Sequence, residues 1–485
     1  MRLAALCTDR IRLRGSGAVE IAGLTADSRR VRHGDLFAAL PGTRADGRRF
    51  LADARAAGAV AGLGDPAAAA APDPPAPVTE EPRRALAEVA ARFFARQPRT
   101  VVAVTGTSGK TSVAAFTRQL WQVLALPAAS LGTLGLQTSD APGDGQLTTP
   151  DPIELHRLAA DLARAGIEHL VLEASSHGLD QHRIDGLRLA AAAFTNLGRD
   201  HHDYHGSAAA YFAAKRRLFA ELLVPGATAV LNADVPEFDD LAALARARDL
   251  RVLDYGERAD ALRLVRREPT ARGLGCTIVA LGHEARIETA LVGGFQAHNL
   301  LAALGLVLAA GAAPADVLPH LAGLRPPPGR MQLVAEHPNG AAAFVDYAHK
   351  PEALAQALQA LRPHTPGRLS VVFGCGGDRD AGKRPLMGAI AARLADRVVV
   401  TDDNPRSEDP AAIRAAILAA APGAVEIGDR AEAIARAWAE LDAGDTLLVA
   451  GKGHETYQLV GDRLHPFDDT ETVRAAARRS GGTPT

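Results

Sequence analysis

The feature that most constrains the fold is a glycine-rich segment between a predicted strand and a predicted helix. The run from Val101 to Thr105 is typical of a buried strand, and a helical pattern follows through Leu124. Backbone amides next to glycines can approach phosphates, and a helix N-terminus favours negative charge. We therefore predict a phosphate loop, in which Lys110 neutralises terminal phosphates and the Thr111 hydroxyl ligates Mg²⁺. The loop residues are Gly106, Thr107, Ser108, Gly109, Lys110, Thr111 and Ser112.

The loop is shorter than its most widespread form. That form has a further glycine five residues before Gly109, where this chain has Val104. The shortening disfavours the common switch and motor NTPases, which remain the rival from a different functional class. A glycine-rich turn that only caps a helix is the simpler alternative, but the lysine and the hydroxyl both fall at the offsets of a phosphate loop.

Alternating apolar runs and helical patterns predict an α/β protein of three domains. A chain of 485 residues is long enough for roughly two to four domains. We predict a small N-terminal α/β domain at residues 1–97, a central P-loop mononucleotide-binding domain with a parallel or mixed sheet at 98–326, and a C-terminal Rossmann-like domain at 327–485. The Ala/Pro-rich stretch from Ala67 to Pro77 indicates a surface loop or linker.

The composition disfavours several functional classes. A net charge of −2 gives no sign of the basic surface that binds nucleic acid. The three cysteines are far apart, which disfavours a disulfide framework and favours a reducing cytosol. The apolar stretch from Leu300 to Ala313 is shorter than the roughly 20 residues of a membrane span. We expect a soluble, cytoplasmic, monomeric protein that acts on small molecules.

Polar clusters follow candidate strands of the central domain. Glu173 ends the apolar run that starts at His169, and a segment rich in His and Asp, from Asn196 to His205, follows the run from Ala190 to Thr195. A carboxylate at a strand end near a phosphate loop is well placed to bind Mg²⁺. Zinc is the alternative for the histidines, but no cysteine is near and the phosphate loop favours Mg²⁺.

The last third of the chain has the same organisation. Ligands in open α/β sheets bind at the carboxyl ends of strands, so polar clusters at several strand ends can converge on one pocket. The clusters are Gly374 to Asp380, Asp402 to Arg406 and Gly451 to Glu455. The candidate strands are Ala343 to Asp346, Leu369 to Phe373, Val398 to Thr401, Val425 to Ile427 and Thr446 to Val449.

Three longer motifs resemble those of the Mur ligase and folylpolyglutamate synthetase superfamily. They begin at Glu173, Thr195 and Tyr211, and read E-x-SSHGL-x-Q-x-R, TNL-x-RDH-x-DYHG and Y-x-x-AK-x-x-L. The phosphate loop is similar to the superfamily's GTNGKT, with Ser108 in place of Asn. The resemblance implies ATP-dependent amide-bond formation through an acyl phosphate, with release of ADP and phosphate.

The same resemblance implies catalytic roles for Lys110, Glu173, His201 and Lys215. In the family the lysine at the place of Lys215 is carbamylated, which turns a cationic ammonium into an anionic carbamate that can bind Mg²⁺. Thr111 and Glu173 would hold one Mg²⁺, and Glu173, His201 and carbamylated Lys215 would hold a second. ATP and Mg²⁺ are thus the cofactors that the resemblance implies.

Further motifs resemble the family's nucleotide-binding segments. Gln296 replaces the usual Asn of the adenine-side motif that contains Asn299, and Gln332 replaces the Glu that usually follows PGRM. The segment from Asp346 to Pro351 matches DYAH-x-P, which closes over the nucleotide from the third domain. The ATP-binding residues implied outside the loop are Asn299, Arg330, Asp346 and His349.

The first two domains carry residues that match the family's contacts to a UDP-linked muramoyl dipeptide. Leu147 departs from the family pattern, because a polar Asn is usual in its place. The matching residues are Ser28, Thr43, Arg44, Ala45, Thr148, Thr149, Ser175, Gln181 and Arg183.

The third domain resembles the MurE-type branch of the family. Its members that add lysine typically read DNPA where this chain has Arg406, and a guanidinium can grip a carboxylate with two parallel hydrogen bonds. The distal carboxylate of meso-diaminopimelate, which lysine lacks, therefore becomes the expected target. Lysine-adding relatives, the D-alanyl-D-alanine-adding enzyme and folylpolyglutamate synthetase remain alternatives. The pocket residues implied are Arg379, Asp403, Asn404, Pro405, Arg406, Gly451 and Glu455.

Overall fold

The computed structural model describes residues 1–42, 46–66, 75–138, 147–198, 200–270 and 273–485, with only the backbone described at 202 and 203. The chain forms two compact units, Met1–Leu262 with Leu301–Val317, and Arg263–Leu300 with Leu318–Thr485. The α/β class predicted from the sequence is confirmed. The predicted bounds of the three domains stay a prediction.

The N-terminal part of the first unit contains two small sheets. Its elements are α1 (Leu3–Leu6), β1 (Arg12–Arg14), β2 (Gly23–Thr25), β3 (Asp35–Ala38), α2 (Leu51–Ala56), β4 (Ala61–Leu63), β5 (Ala76–Val78) and α3 (Pro82–Phe94). Strands β2, β3 and β4 are parallel, and β1 pairs antiparallel with β5. These elements surround a core that includes Leu36, Leu63 and Leu86.

The predicted linker from Ala67 to Pro77 is partly wrong. Residues 67–74 lie outside the described residues, but Ala76 and Pro77 are buried in β5. Their Ala/Pro composition is typical of a loop, yet Leu13 of β1 lies opposite Pro77 and provides a strand partner. Proline has no N–H to donate, but the Pro77 carbonyl still accepts a hydrogen bond from the Gly64 amide at 3.1 Å, so β5 has neighbours on both sides.

The phosphate loop follows a central strand of a mixed, largely parallel sheet. The elements are β6 (Thr100–Thr105), α4 (Lys110–Val123), β7 (Ala128–Gly132), β8 (Gly135–Gln137), α5 (Pro152–Arg164), β9 (His169–Glu173), α6 (Ser176–Asp180), β10 (Leu189–Phe194), α7 (His202–His205), α8 (Ala208–Arg217), β11 (Leu223–Asn232), α9 (Phe238–Ala247) and β12 (Arg251–Gly256). The strand order β12-β11-β10-β6-β9-β7-β8 places β6 between β10 and β9, and both pairings are parallel. The carboxyl ends of these three strands therefore meet at one edge.

Sequence explains why β6 and α5 form where they do. Residues Val101 to Thr105 are all buried, as expected for a parallel strand that is covered on both faces. Helix α5 begins with Asp151 as N-cap, whose carboxylate accepts hydrogen bonds from the Ile153 and Glu154 amides, and Pro152 occupies its first turn.

The second unit holds the remaining strands. Its elements and those that adjoin it are β13 (Leu262–Thr270), β14 (Gly273–Ala280), β15 (His283–Thr289), α10 (Phe295–Ala309), α11 (Pro314–Val317), β16 (Gln332–Glu336), β17 (Ala342–Asp346), α12 (Pro351–Leu361), β18 (Leu369–Phe373), α13 (Lys383–Leu394), β19 (Arg397–Val400), α14 (Pro410–Leu418), β20 (Val425–Glu426), α15 (Arg430–Ala439), β21 (Thr446–Ala450), β22 (Tyr457–Val460), β23 (Arg463–Pro466), α16 (Asp469–Arg479) and β24 (Thr483–Pro484). Strands β14 and β15 pair antiparallel, as do β22 and β23.

The C-terminal sheet has the order β20-β19-β18-β21-β17-β16-β24. The strands from β17 to β20 are parallel, whereas β16 and β24 are antiparallel at the other edge. Val371 and Phe373 pack into a core with α12, α13 and α14, and Val372 packs into a second core with α15 and α16. Helices thus cover both faces, as expected for a Rossmann-like sheet.

Every helix within the described residues is too short or too polar to cross a bilayer.

A buried ion pair in the second unit gives the first prediction. The Arg430 guanidinium contacts both Asp469 carboxylate oxygens, at 2.7 and 2.8 Å, and neither side chain is exposed. Asp469→Asn should lower the free energy of unfolding by about 3–5 kcal/mol, because it leaves a buried cation without its counter-charge. Urea denaturation followed by circular dichroism measures the change.

The matched control is Glu268→Gln. Its carboxylate pairs with Arg266 at 2.7 Å on the surface, where water screens the interaction. We expect almost no change in the free energy of unfolding for this variant. Equal destabilisation by the two substitutions would contradict the importance of burial.

Candidate active site

The loop after β6 has the backbone geometry of a phosphate cradle. Gly106 has φ 146° and Gly109 has φ 88°, conformations that favour glycine. A Cβ on Gly106 would lie 1.9 Å from Thr195 Oγ1, so this loop and the segment after β10 can touch only because Gly106 has no side chain. The Ser108 amide donates to Asn196 Oδ1 at 3.0 Å, and Asn196 Nδ2 donates to the Ser108 carbonyl at 3.2 Å.

Two lysines meet at one carbonyl of this loop. The Gly106 oxygen accepts hydrogen bonds from Lys110 Nζ at 2.9 Å and from Lys215 Nζ at 2.8 Å. Lys215 comes from α8, and only 1% of it is exposed. Two ammonium groups that share one acceptor repel each other.

Glu173, at the end of β9, lies beside the loop. Its Oε2 accepts a hydrogen bond from Thr111 Oγ1 at 3.1 Å, and the residue is 2% exposed. Thr133 adds two more hydrogen bonds, from its amide to Oε1 at 2.9 Å and from its hydroxyl to Oε2 at 3.1 Å. The carboxylate is therefore fixed in place next to the hydroxyl at the start of α4.

His201 lies in a cluster of aromatic rings that includes His177 and Tyr211. Its ring centroid is 4.7 Å from that of His177 and 6.1 Å from that of Tyr211. Lys215 Nζ lies 4.4 Å from the centre of the same Tyr211 ring, whose hydroxyl is 3.1 Å from Thr107 Oγ1. His201 and Lys215 thus share Tyr211 as a neighbour.

The predicted metal ligands are brought together in part. Thr111 and Glu173 are in direct contact, and Lys215 lies at the same loop. Within the described ranges, no three His, Cys, Asp or Glu side chains are close enough to form a metal site by themselves. Of the four predicted metal ligands, only Glu173 and His201 belong to these four residue types, so the predicted set could not form such a group.

Several residues predicted to contact the UDP-linked substrate lie near Thr149. Its hydroxyl donates to the Glu173 carbonyl at 2.7 Å and lies 3.0 Å from Ser175 Oγ. Arg183 donates to the Thr149 carbonyl at 2.7 Å and to Gln181 Oε1 at 2.7 Å. Thr148 Oγ1 is 3.2 Å from Thr133 Oγ1.

The other residues predicted to contact the UDP-linked substrate belong to the N-terminal part of the first unit. Ser28 opens a short 3₁₀ turn in which the Asp27 carboxylate accepts a hydrogen bond from the Arg29 amide. Thr43, Arg44 and Ala45 lie outside the described residues.

Two predicted nucleotide-binding motifs of the second unit meet at Asp346. Asp346 accepts hydrogen bonds from the Met331 amide at 2.7 Å and the Ala348 amide at 2.9 Å. The Arg330 guanidinium lies 4.5 Å from the centre of the Tyr347 ring. Burial, with Lys350 and Lys383 nearby, lowers the pKa of His349 to about 3, so this ring is neutral near pH 7.

Asn299 pairs with the residue that departs from the family pattern. Its Nδ2 donates to Gln296 Oε1 at 2.9 Å, and both side chains are buried. The replacement of Asn by Gln therefore leaves the two amides in contact within α10.

The three polar clusters of the C-terminal sheet converge at neighbouring strand ends. Lys452, which follows β21, donates to Asn404 Oδ1 at 3.1 Å, and Asn404 Nδ2 donates to Glu455 Oε2 at 2.9 Å. Gly451 has φ 118°, and a Cβ there would lie 3.5 Å from Asp403 Oδ2. Close packing of the β18 and β19 loops also depends on glycine, since a Cβ on Gly377 would lie 1.9 Å from the Pro405 carbonyl.

Arg406 is held by its backbone and by one end of its guanidinium. Its amide donates to the Leu459 carbonyl at 3.0 Å, and its Nη1 donates to the Gly377 carbonyl at 2.8 Å. Arg379 is exposed on the β18 loop, next to Asp378, whose carboxylate accepts a hydrogen bond from Ser407 Oγ at 2.6 Å. Both arginines therefore belong to the loops that form the pocket, but only Arg406 is anchored against the neighbouring loop.

Sequence reasoning missed three residues that organise these sites. Thr133 fixes Glu173, Tyr211 lies between Lys215 and His201, and Lys452 joins Asp403, Asn404 and Glu455. A lysine within a Gly-rich strand-end turn was a usable signal for Lys452. Tyr211 opens the motif that contains Lys215, which was a usable signal as well, whereas Thr133 carries none because its contact with Glu173 comes from another strand.

Three family models match successive segments of the chain. The Mur ligase family catalytic domain matches residues 20–95, the Mur ligase middle domain matches 104–307, and the Mur ligase glutamate ligase domain matches 329–453. A relative from Bradyrhizobium diazoefficiens, a UDP-N-acetylmuramoyl-L-alanyl-D-glutamate–2,6-diaminopimelate ligase, is 54% identical over 466 residues, which cover 95% of each chain. This chain belongs to the Mur ligase family. As a Mur ligase it is an ATP-dependent, ADP-forming amide ligase.

Other relatives agree with this assignment. A ligase of the same name from Caulobacter vibrioides is 54% identical and covers 94% of this Mur ligase and 95% of the relative. A solved structure of a ligase with that name has a TM-score of 0.72 at 35% identity and covers 96% of both chains. The MurF ligase of Thermotoga maritima in complex with ADP, at 21% identity, shares the fold with a TM-score of 0.64 and covers 95% of this chain and 98% of its own.

The geometry of Gly106 gives a test of the phosphate loop in this Mur ligase. Gly106→Ala should lower kcat/KM for ATP by about 100-fold, because the added methyl group collides with Thr195 and displaces the loop from the phosphates. Steady-state kinetics with varied ATP measures the effect.

Gly198→Ala is the matched control. A Cβ at this position would lie 3.6 Å from its nearest neighbour, the Thr107 side chain, which is ordinary contact. We expect kinetics close to those of the wild type. A Gly106→Ala enzyme with wild-type kcat/KM for ATP would rule out the tight cradle described above.

Proposed function

We propose that this Mur ligase joins meso-2,6-diaminopimelate to UDP-N-acetylmuramoyl-L-alanyl-D-glutamate in peptidoglycan precursor synthesis. ATP phosphorylates the terminal carboxylate of the dipeptide, the amine of diaminopimelate attacks the acyl phosphate, and ADP and phosphate are released. Relatives that carry this ligase name at 50–54% identity support the proposal.

The position of Arg406 at the amino-acid pocket is the observation that supports meso-diaminopimelate as the substrate. Only its Nη1 donates to acceptors among the described residues, the carbonyls of Gly377 at 2.8 Å and Asn404 at 3.5 Å. The other guanidinium N–H groups can grip a carboxylate bidentately. Glu455 lies in the same pocket, where it can pair with an ammonium group. A diamino acid with a distal carboxylate fits this combination better than lysine does.

Thr111 and Glu173 fit the magnesium ion that the family implies. Mg²⁺ prefers oxygen ligands, and here a hydroxyl and a buried carboxylate oxygen lie 3.1 Å apart beside the phosphate loop. A bound Mg²⁺ would neutralise charge on the phosphates and on the transferring phosphoryl group. In this arrangement Lys110 supplies a cation to the terminal phosphates, and the Gly106–Gly109 backbone orients them.

The surroundings of Lys215 favour its carbamylation. The ammonium group first loses one proton, the free amine attacks CO₂, an N–C bond forms and a second proton is released, so a cation becomes an anion. The change removes the repulsion between Lys215 and Lys110 at the Gly106 oxygen. The carbamate would then complete, with Glu173 and His201, the ligand set for the second Mg²⁺.

We also propose that the enzyme is a cytoplasmic monomer. The nucleotide-linked substrate and ATP are small and polar, and the three cysteines are all unpaired, in keeping with a reducing compartment. Analytical ultracentrifugation of the purified enzyme measures the oligomeric state.

Phosphate release across a panel of amino acids tests the function. With ATP, Mg²⁺ and UDP-N-acetylmuramoyl-L-alanyl-D-glutamate present, meso-diaminopimelate should give rapid release, whereas L-lysine and D-alanyl-D-alanine should give little. Omission of the UDP-linked dipeptide should stop release, which a motor or switch NTPase would not require. A preference for lysine would assign the enzyme to the lysine-adding relatives instead.

The role of Lys215 gives a separate prediction. Lys215→Ala should abolish ligation because it removes the proposed carbamate, and formate or acetate should partly restore it by supplying a small carboxylate in the vacated space. Arg216→Ala is the control, since Arg216 pairs with Asp240 on the surface at 2.8 Å. Undiminished ligation by Lys215→Ala would refute the carbamate.

Arg406 gives the prediction on specificity. Arg406→Ala should raise KM for meso-diaminopimelate by about 30-fold or more, because a carboxylate of the substrate loses its charged partner. KM for ATP should change little. Arg463→Ala, on the exposed strand β23, is the control for loss of a nearby arginine. Equal effects of the two substitutions on KM would show that Arg406 does not bind the substrate.

A further inference from the structure

Lys452 is a buried cation enclosed by groups from two strand-end loops. Its Nζ donates to Asn404 Oδ1 at 3.1 Å and to Asp403 Oδ1 and Glu455 Oε2 at 3.4 Å each. The side chain is not exposed at all. An ammonium group has three N–H donors, and three acceptors surround this one.

This ammonium determines how Asn404 is oriented. Asn404 Oδ1 accepts hydrogen bonds from Lys452 and from the Leu459 amide at 3.0 Å, so the carbonyl end of the side chain must face them. The amide end then donates to Glu455 Oε2 at 2.9 Å. Glu455 is thus held through Oε2 by two donors, and Oε1 is left for a ligand.

The cation also favours the ionised form of one buried carboxylate, that of Asp403. Burial alone raises the pKa of Asp403, but the Arg430 and Lys452 cations outweigh it and hold the pKa below its ordinary value. Arg430 is itself paired with Asp469 and donates to the Ala450 carbonyl at 3.0 Å, just before the Lys452 loop. The pocket floor therefore contains two buried cations between three carboxylates.

The lysine content of the chain supports a specific need for an ammonium group at this place. Only five of the 54 Lys and Arg residues are lysines, so arginine is the ordinary cation of this protein. An ammonium is compact and carries three rotatable donors, whereas a guanidinium is planar and larger. The Lys452 site is fully enclosed and offers three separate acceptors, which only the compact group can fill.

We propose that Lys452 is a positioning residue of the amino-acid pocket, which locks Asp403, Asn404 and Glu455 into the arrangement that binds the ammonium group of the incoming amino acid. The inference rests on the function proposed for this pocket, and Lys452 acts through its neighbours because its own donors are occupied.

Kinetics of Lys452→Met, which keeps the length of the side chain and removes its charge, test this role. KM for meso-diaminopimelate should rise about tenfold or more, because Asn404 and Glu455 lose their common partner. KM for ATP and for the UDP-linked dipeptide should stay within about twofold of wild type, a split that general damage to the fold would not produce. Wild-type KM for diaminopimelate in this variant would overturn the proposal.

Arg414→Met is the matched control. Arg414 pairs with Asp402 and with Glu426 at 2.8 Å, next to the same loop but outside the pocket. Its loss should leave KM for diaminopimelate near the wild-type value. An equal rise in this control would show that any loosening of the loop suffices, and would also overturn a specific role for Lys452.

If Lys452→Met does not fold by itself, the same substitution can be tested in the Asp403→Asn variant. Asp403→Asn removes one of the carboxylates that the missing cation would leave unpaired. In that background, Lys452→Met should still raise KM for diaminopimelate above that of Asp403→Asn alone, and equal values would refute the proposal. If the wild-type enzyme uses a different amino acid, the proposed function fails, and the same comparison with that amino acid decides the role of Lys452.

Discussion

The carbonyl oxygen of Gly106 accepts hydrogen bonds from two lysine side chains, and the rest of the proposed catalytic centre lies around this point. Two ammonium groups at one oxygen repel each other, and Lys215 is almost fully buried. In the proposed mechanism the phosphates of ATP offset the charge of Lys110, and carbamylation reverses the charge of Lys215. The loop, Glu173 and Asn196 meet here because β6, β9 and β10 are parallel neighbours.

The second unit uses a buried cation in a similar way. Lys452 joins the loops after β19 and β21, as Lys215 joins α8 to the loop after β6. In both places a lysine fixes groups that come from separate segments of the chain, at the carboxyl ends of parallel strands where ligands bind. At Lys452 this requires a compact ammonium group with donors that point in several directions, whereas the proposed carbamate of Lys215 keeps a single N–H donor.

Local patterns predicted the phosphate loop and most of the strands that position the site. The strand from His169 to Glu173 and that from Leu369 to Phe373 have the predicted bounds, since buried parallel strands are continuous apolar runs. The sequence did not reveal contacts between distant segments, such as those of Thr133 with Glu173. It also missed the antiparallel hairpin β14–β15, although the two-residue turn between Ala280 and His283 is a local feature. It misread Ala76 and Pro77 as linker, because their partner strand β1 lies far away in the sequence.

Carbon-13 NMR of the purified enzyme equilibrated with ¹³C-bicarbonate tests the central claim most directly. The crowding of Lys110 and Lys215 at Gly106 predicts one carbamate resonance in the wild-type enzyme, and its loss in Lys215→Ala. An active wild-type enzyme without a carbamate signal, or a signal that persists in the variant, would contradict this account of the catalytic centre.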